Sequence, residues 1–152
     1  MRSMAQRKMP NARCRGALRW DGADLDPELP PHVAFAGNDH LILAVGSRAR
    51  LADLDYDFDA LAALMRAHGW TTAHLVWRED ERRYHARDPF PVGGVVEDPA
   101  TGAAAVVFGG YLRTAGPASS PCARTRMAHA STSPATPYRS PDEEARRGVP
   151  TD

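Results

Sequence analysis

From Ala100 to Leu112 the chain runs without a single charged residue, and it does so directly behind the pair Asp98-Pro99. Aspartate is a good helix N-cap, and proline is at home in the first helical position, where its missing N–H costs nothing. The pair therefore predicts a helix that opens at Pro99. Its residues are apolar on every side, so the helix has no face to give to water and has to be enclosed by other parts of the chain. Near the start the side chains are very small (Ala100, Gly102, Ala103, Ala104, Ala105), which lets a neighbouring sheet come close to the helix backbone. The first-turn N–H groups of such a helix have no internal partners and carry partial positive charge, so its head is a natural seat for a carboxylate.

The preceding chain contains the pieces that would enclose it. Val33–Ala36 and His40–Val45 are short apolar runs parted by Gly37-Asn38-Asp39, which predicts two strands or one bent strand. Arg48 to Asp55 reads as a short helical turn. Asp57 to Gly69 is an amphipathic helix: Asp57 caps it, Phe58, Leu61, Leu64 and Met65 recur at helical spacing, and Gly69 ends it. Thr71–Arg78 is rich in β-branched and aromatic residues, and Arg83–Arg87 returns across the charged turn Glu79–Arg82 as the second arm of a hairpin. Trp20, Leu25 and Leu29 anchor a proline-punctuated lead-in, with Trp70 and Trp77 as further packing residues. Gly93-Gly94 and Gly109-Gly110 read as sites of tight turning and close packing. This order argues for an α+β fold with a mostly antiparallel, barrel-like sheet around a central buried helix.

Composition sets the limits of the domain and of its partners. Residues 1–16 lack periodicity and are expected to be disordered; 17–116 form the domain. Residues 117–152 hold no Leu, Ile, Phe or Trp and are expected to be a disordered tail rich in Pro, Ser, Thr and Arg. The formal net charge is zero, so there is no bulk attraction to nucleic acid or to an anionic membrane. No apolar run approaches the ~20 residues of a membrane span. The basic start lacks the apolar core of a secretory signal, and Cys14 and Cys122 indicate neither a disulfide framework nor a zinc site. A cytoplasmic setting is the expectation. Histidines 32, 40, 68, 74, 85 and 129 have no metal-ligand spacing and read as residues of polar strand faces.

The stretch Glu97-Asp98-Pro99-Ala100-Thr101-Gly102, followed by small residues and then Gly110-Tyr111-Leu112, resembles a signature of the phenazine-biosynthesis isomerase (PhzF-like) family. The approach from Tyr84 to Val96 resembles the strand and turn that lead into that signature. The likeness extends more weakly back to Ala17 and stops near Gly116. It implies a diaminopimelate epimerase-like fold of two similar domains, each a barrel-like sheet around one helix, with the active site between the two helix heads. This chain resembles part of the C-terminal domain, and the barrel it would form is incomplete.

The resemblance implies isomerase or epimerase chemistry: proton transfer on a small carboxylate-bearing metabolite, with neither metal nor organic cofactor. Asp98 would be the catalytic residue, and Thr101, Gly102 and Ala103 would bind the substrate carboxylate. Asp98 also has a purely structural reading, as an N-cap worth about 1 kcal/mol. Ala103 departs from the family, which usually has a serine after Thr-Gly. The family's principal base, a glutamate in a Ser-Glu-Thr-Thr-like stretch, and the histidine of a Cys-Gly-His-Ala-Thr-like helix start are absent here. A proton shuttle needs its base within hydrogen-bond reach, so the chain alone is expected to be inactive. Its partner would be the missing first domain or a second copy as a homodimer. A different class of reading is a non-catalytic remnant or interaction module that associates through its incomplete barrel. A third is that the chain after Gly116 is read in a shifted frame.

Overall fold

The computed structural model describes residues 11–99, 102–115 and 126–129. Helix α1 (Asn11–Leu18) leads into strands β1 (His32–Phe35) and β2 (Asp39–Val45). Helices α2 (Arg48–Ala52) and α3 (Phe58–His68) follow, then β3 (Trp70–Arg78) and β4 (Arg83–Arg87). Two short strands, β5 (Pro89–Phe90) and β6 (Val95–Glu97), precede helix α4 (Gly102–Ala115), and β7 (Arg126–His129) closes the order.

Local signals account for the clearest elements. Asp57 caps α3 by accepting from the Ala60 N–H at 2.9 Å, and Gly69 ends it at φ 70°, a conformation glycine adopts without steric cost. Ser47 caps α2 in the same way, accepting from Arg50. Gly94, also at positive φ, closes the turn between β5 and β6.

The main sheet has the order β1-β2-β3-β4-β7, and β5 and β6 pair separately. β1–β2 and β3–β4 are antiparallel, whereas β2–β3 and β4–β7 are parallel. The sheet is thus mixed rather than mostly antiparallel. The reason lies in the connections: two helices part β2 from β3, so the chain crosses over and re-enters in the same direction, which a tight hairpin cannot do.

Each face of the sheet has its own core. On one side α1, α2 and α3 pack through Cys14, Leu18, Leu51, Leu61 and Met65 onto Leu41, Leu43, Val45, Ala73 and Leu75. On the other, α4 packs through Val107, Phe108, Tyr111 and Leu112 onto Ile42, Ala44, Val76, Tyr84 and Ala86, with Leu29 and Ala34 beside them. Trp20 and Trp70 are buried and Trp77 is half-buried, as large apolar side chains in such cores should be.

Set beside those expectations, the described residues show the following. Residues 11–16, expected to lack structure, belong to α1; Cys14, Ala17 and Leu18 share one helical face and bury it, which a scan dominated by Arg and Asn conceals. Arg126–His129 forms a strand inside the segment expected to be a structureless tail, because a ladder is made by backbone groups and needs no apolar composition. Helix α4 buries one side, while Gly102 and Ala103 are exposed and Val106 is 72% exposed. Among the described strands the sheet lies against α4 on one face and is not wrapped round it. Gly109 and Gly110 do not serve close packing: a Cβ on Gly109 would meet nothing within 4 Å, and one on Gly110 only the Arg113 side chain at 4.0 Å. Residues 1–10, Cys122 and the remainder of the tail lie outside the described residues.

Candidate active site at the head of helix α4

The segment that carries Asp98 is held by a brace built from three elements. Arg87, at the end of β4, donates to the carbonyls of Leu51 and Ala52 at 3.1 and 2.8 Å, where α2 ends. Its other terminal nitrogen lies 2.5 Å from the Glu97 carboxylate, on β6. Tyr56 donates its hydroxyl proton to the Val96 carbonyl at 2.5 Å. Burial, and then the Glu97 charge, push the Tyr56 phenol well above its usual range, so it remains a donor. Glu97 is therefore a buried partner of Arg87 and not an exposed side chain.

Asp98 follows directly and is half-buried. Its backbone N–H donates to the Asp88 carbonyl at 2.9 Å. β5 and β6 pair with Pro89 opposite Glu97, so the next pair in the ladder is Asp88 opposite Asp98. Opposed residues of an antiparallel ladder share a face. Pro99 is in a turn, and α4 is described from Gly102, later than the expected opening at Pro99. Thr101 lies outside the described residues. Gly102 stands in open space and Ala103 is exposed, so the head of α4 is accessible.

Beneath α4, among apolar neighbours, lies a buried polar cluster that the sequence reading did not foresee. His74 on β3 and Asp88 at the end of β4 are both wholly buried, with Nδ1 and Oδ1 2.6 Å apart. His40 on β2 and Thr72 on β3 are opposed in the parallel pair and buried as well. The His74 ring packs 5.5 Å from that of Phe108, which ties the cluster to α4. Among the described residues, His74 Nε2 and both ring nitrogens of His40 have no hydrogen-bond partner. Burial, reinforced by His74, holds His40 below the usual histidine range.

Three other histidines lie outside this cluster, and one of them, His68, is in helix α3 and not on a strand. His85 bonds Glu79 at 2.8 Å, and His68 stacks on Trp70 with ring centroids 4.6 Å apart. His32 lies beside Tyr111. Among the described residues no group of three or more His, Cys, Asp or Glu is arranged to hold a metal ion, and no helix is long and apolar enough to cross a membrane.

A second surface feature lies on the opposite flank of α4. A groove of about 130 Å³ runs between it and β1, lined by Ala34, Phe35, Val106, Val107, Gly110 and Tyr111 among others, and Asp98 is not in its wall. Phe35, at 66%, and Val106 are the large apolar side chains left exposed among the described residues.

Comparison with known proteins agrees with the strand-to-helix motif. Among curated proteins none matches. A solved structure, that of the Bacillus anthracis phenazine biosynthesis protein of the PhzF family, superposes with a TM-score of 0.56 at 24% identity. The match covers 73% of this chain and 38% of that one, so the chain spans well under half the length of the protein it resembles. A likeness at that identity speaks for the fold. The model of the phenazine biosynthesis-like (PhzC-PhzF) family matches residues 4–133, most of the sequence, and on that ground the chain belongs to this family.

Proposed function

We propose that this chain supplies the Asp98 side of a cofactor-independent isomerase or epimerase site, in which a proton is moved on a small carboxylate-bearing metabolite. The observation that carries this reading is the junction itself. β6 ends at Glu97 and α4 is described from Gly102, so the Glu-Asp-Pro-Ala-Thr-Gly motif joins a braced strand to an accessible helix head. Backbone N–H groups of Thr101, Gly102 and Ala103 would receive the substrate carboxylate, favoured by the positive end of the helix. Asp98 would orient the substrate and exchange its proton. The second acid or base would come from a diaminopimelate epimerase-like first domain, and the chain by itself would be inactive. A cytoplasmic setting suits a metabolite enzyme of this kind.

The test combines this chain with a separately produced first domain of a full-length relative and follows solvent-deuterium incorporation at a carbon acid. Exchange in the mixture, reduced about 100-fold or more by Asp98→Asn, is the expected result. A mixture that stays inert while the intact relative works, or an Asp98→Asn mixture as active as the parent, would overturn the reading.

One observation favours a second reading, that of an association module. Phe35 and Val106 are exposed on either side of one apolar groove, beside β1, an outer strand of the sheet. Such surfaces invite a partner, here the missing first domain or a second copy. Size-exclusion chromatography with light scattering decides: a stable monomer that also fails to bind the first domain argues against it.

A further inference from the structure

His74 and Asp98 are far apart in sequence, yet the register of three strands places them in one row. β3 and β4 pair with Leu75 opposite Arg87, so the next position sets His74 opposite Asp88, where their side chains meet at 2.6 Å. One strand further, the backbone carbonyl of Asp88, and not its carboxylate, accepts from the Asp98 N–H. His74 and Asp88 lie on the sheet face that packs against α4, since His74 is two positions from Val76 and Asp88 two from Ala86, and these residues form the α4 core; Asp98 follows β6 of the separate β5–β6 pair. The row runs from a wholly buried imidazole to a half-buried carboxylate at an accessible helix head.

We propose that His74 is a positioning residue for Asp98, coupled to it through Asp88, so that a proton taken up by the buried imidazole is felt at the head of α4. This rests on the reading of Asp98 as the proton-transfer group only for its functional meaning; the coupling itself is a property of the chain alone. Three features support it. A carboxylate that accepts from Nδ1–H fixes the ring and leaves Nε2 to exchange a proton. That nitrogen has no partner among the described residues, and an unsatisfied buried polar atom is costly enough to want a reason. Finally, in surroundings this apolar a charge acts over a longer distance than in water. A positive charge on His74 is felt by His40, whose protonation it disfavours.

Among the described residues around His74, His40 comes from β2, where Asp39 also acts on it, Asp88 follows β4, and Phe108 carries the contact on to Tyr84 of β4. From α4 come Phe108 itself and, behind it, Tyr111, whose phenol burial raises to about 12. None of the aromatic groups ionises in the range where a histidine titrates, so His40 is the competing titrating ring.

The experiment is an NMR titration of the full chain, following the side-chain carboxyl carbon of Asp98 and the ring protons of His74 and His40. In the parent protein the Asp98 carbon is expected to show two steps, the second coincident with His74. In His74→Asn, whose amide keeps a donor near the Nδ1 position, the second step disappears while the Asp98 amide shift is retained. In His40→Asn the second step remains. In Asp88→Asn it weakens while His74 still titrates. A parent Asp98 with a single step, or a His74 ring that does not titrate before the chain unfolds, overturns the proposal without any variant. So does a second step that survives His74→Asn. Neither outcome depends on isomerisation, so failure here leaves the mixed-domain assay to decide the proposed function. If that assay succeeds, His74→Asn should move one limb of its pH profile with KM changed less than twofold, which a merely structural residue would not do.

Discussion

The two faces of the central sheet are built from alternate residues of the same strands, yet they are unlike. Leu41, Leu43, Val45, Ala73 and Leu75 point towards α1, α2 and α3 and make a dry apolar core. Their neighbours His40, Ile42, Ala44, Thr72, His74 and Val76 point the other way, and half of these are polar and buried. Area burial accounts for the first face. The second gives up part of that gain to keep imidazoles and a carboxylate beneath α4, and it is the face whose helix carries the Asp98 junction. In this chain one surface of the sheet is wholly apolar, and the buried polar groups are gathered on the other.

This contrast can be broken most forcefully at Phe108, the α4 residue that touches His74, Tyr84 and Tyr111. Phe108→Ala should cost about 4 kcal/mol in urea unfolding, as full truncation of a buried aromatic does. A loss under about 1 kcal/mol would mean that α4 is not docked as described. Next comes Asp88→Ala, which leaves His74 Nδ1 buried without its acceptor and should cost about 2 kcal/mol. An unchanged midpoint would show that the polar cluster is not held as a pair.

Acid and alkali should each act through buried groups of the two cores. The folded-state pKa of His40 lies below its ordinary 6.5, first through burial and then through His74, so protons favour the unfolded chain. The stabilisation is complete above about pH 6.5 and is lost as pH falls through the folded value. On the other face, burial lifts the Cys14 thiol from 9.0 to about 12. Its stabilisation is complete below pH 9.0 and is lost as pH rises towards 12, on the order of 1 kcal/mol per pH unit. Denaturation across pH should lose part of its acid limb in His40→Asn and part of its alkaline limb in Cys14→Ala, with His32 and the buried phenols supplying the remainder; an unchanged limb in either variant contradicts the assignment. The smallest effect belongs to a position remote from both cores. Asp57→Ala removes the α3 cap and should cost about 1 kcal/mol, with no change in the titration of His40 or Cys14.

What was legible in the sequence follows from the range of each signal. Asp57 and Gly69 mark the ends of α3 because capping is decided within a few residues. The β3–β4 hairpin was legible for the same reason. The strand-to-helix junction at Asp98 was read from a compact motif and its resemblance. The buried cluster was not, because His40 joins His74 only through the parallel β2–β3 register, which leaves no local trace, and Asp88 meets His74 one position beyond the β3–β4 pairs. His74 looked like one polar strand residue among several. A sharper signal was available in the alternation of His40 with Leu41 and of His74 with Leu75, which sets an imidazole on each strand at positions that a sheet buried on both faces would enclose. Helix α1 and strand β7 were missed because composition, averaged over a terminus, hides a short stretch that docks.

The parallel seam between β2 and β3 also has a kinetic consequence. The β3–β4 hairpin joins residues close along the chain, whereas Val45 and Trp77 must be brought together across α2 and α3. Loop-closure entropy delays such distant pairings. Pulsed hydrogen exchange during refolding should therefore protect hairpin amides first and those of β2 later, so the imidazoles find their carboxylate in a scaffold whose first turn is already made.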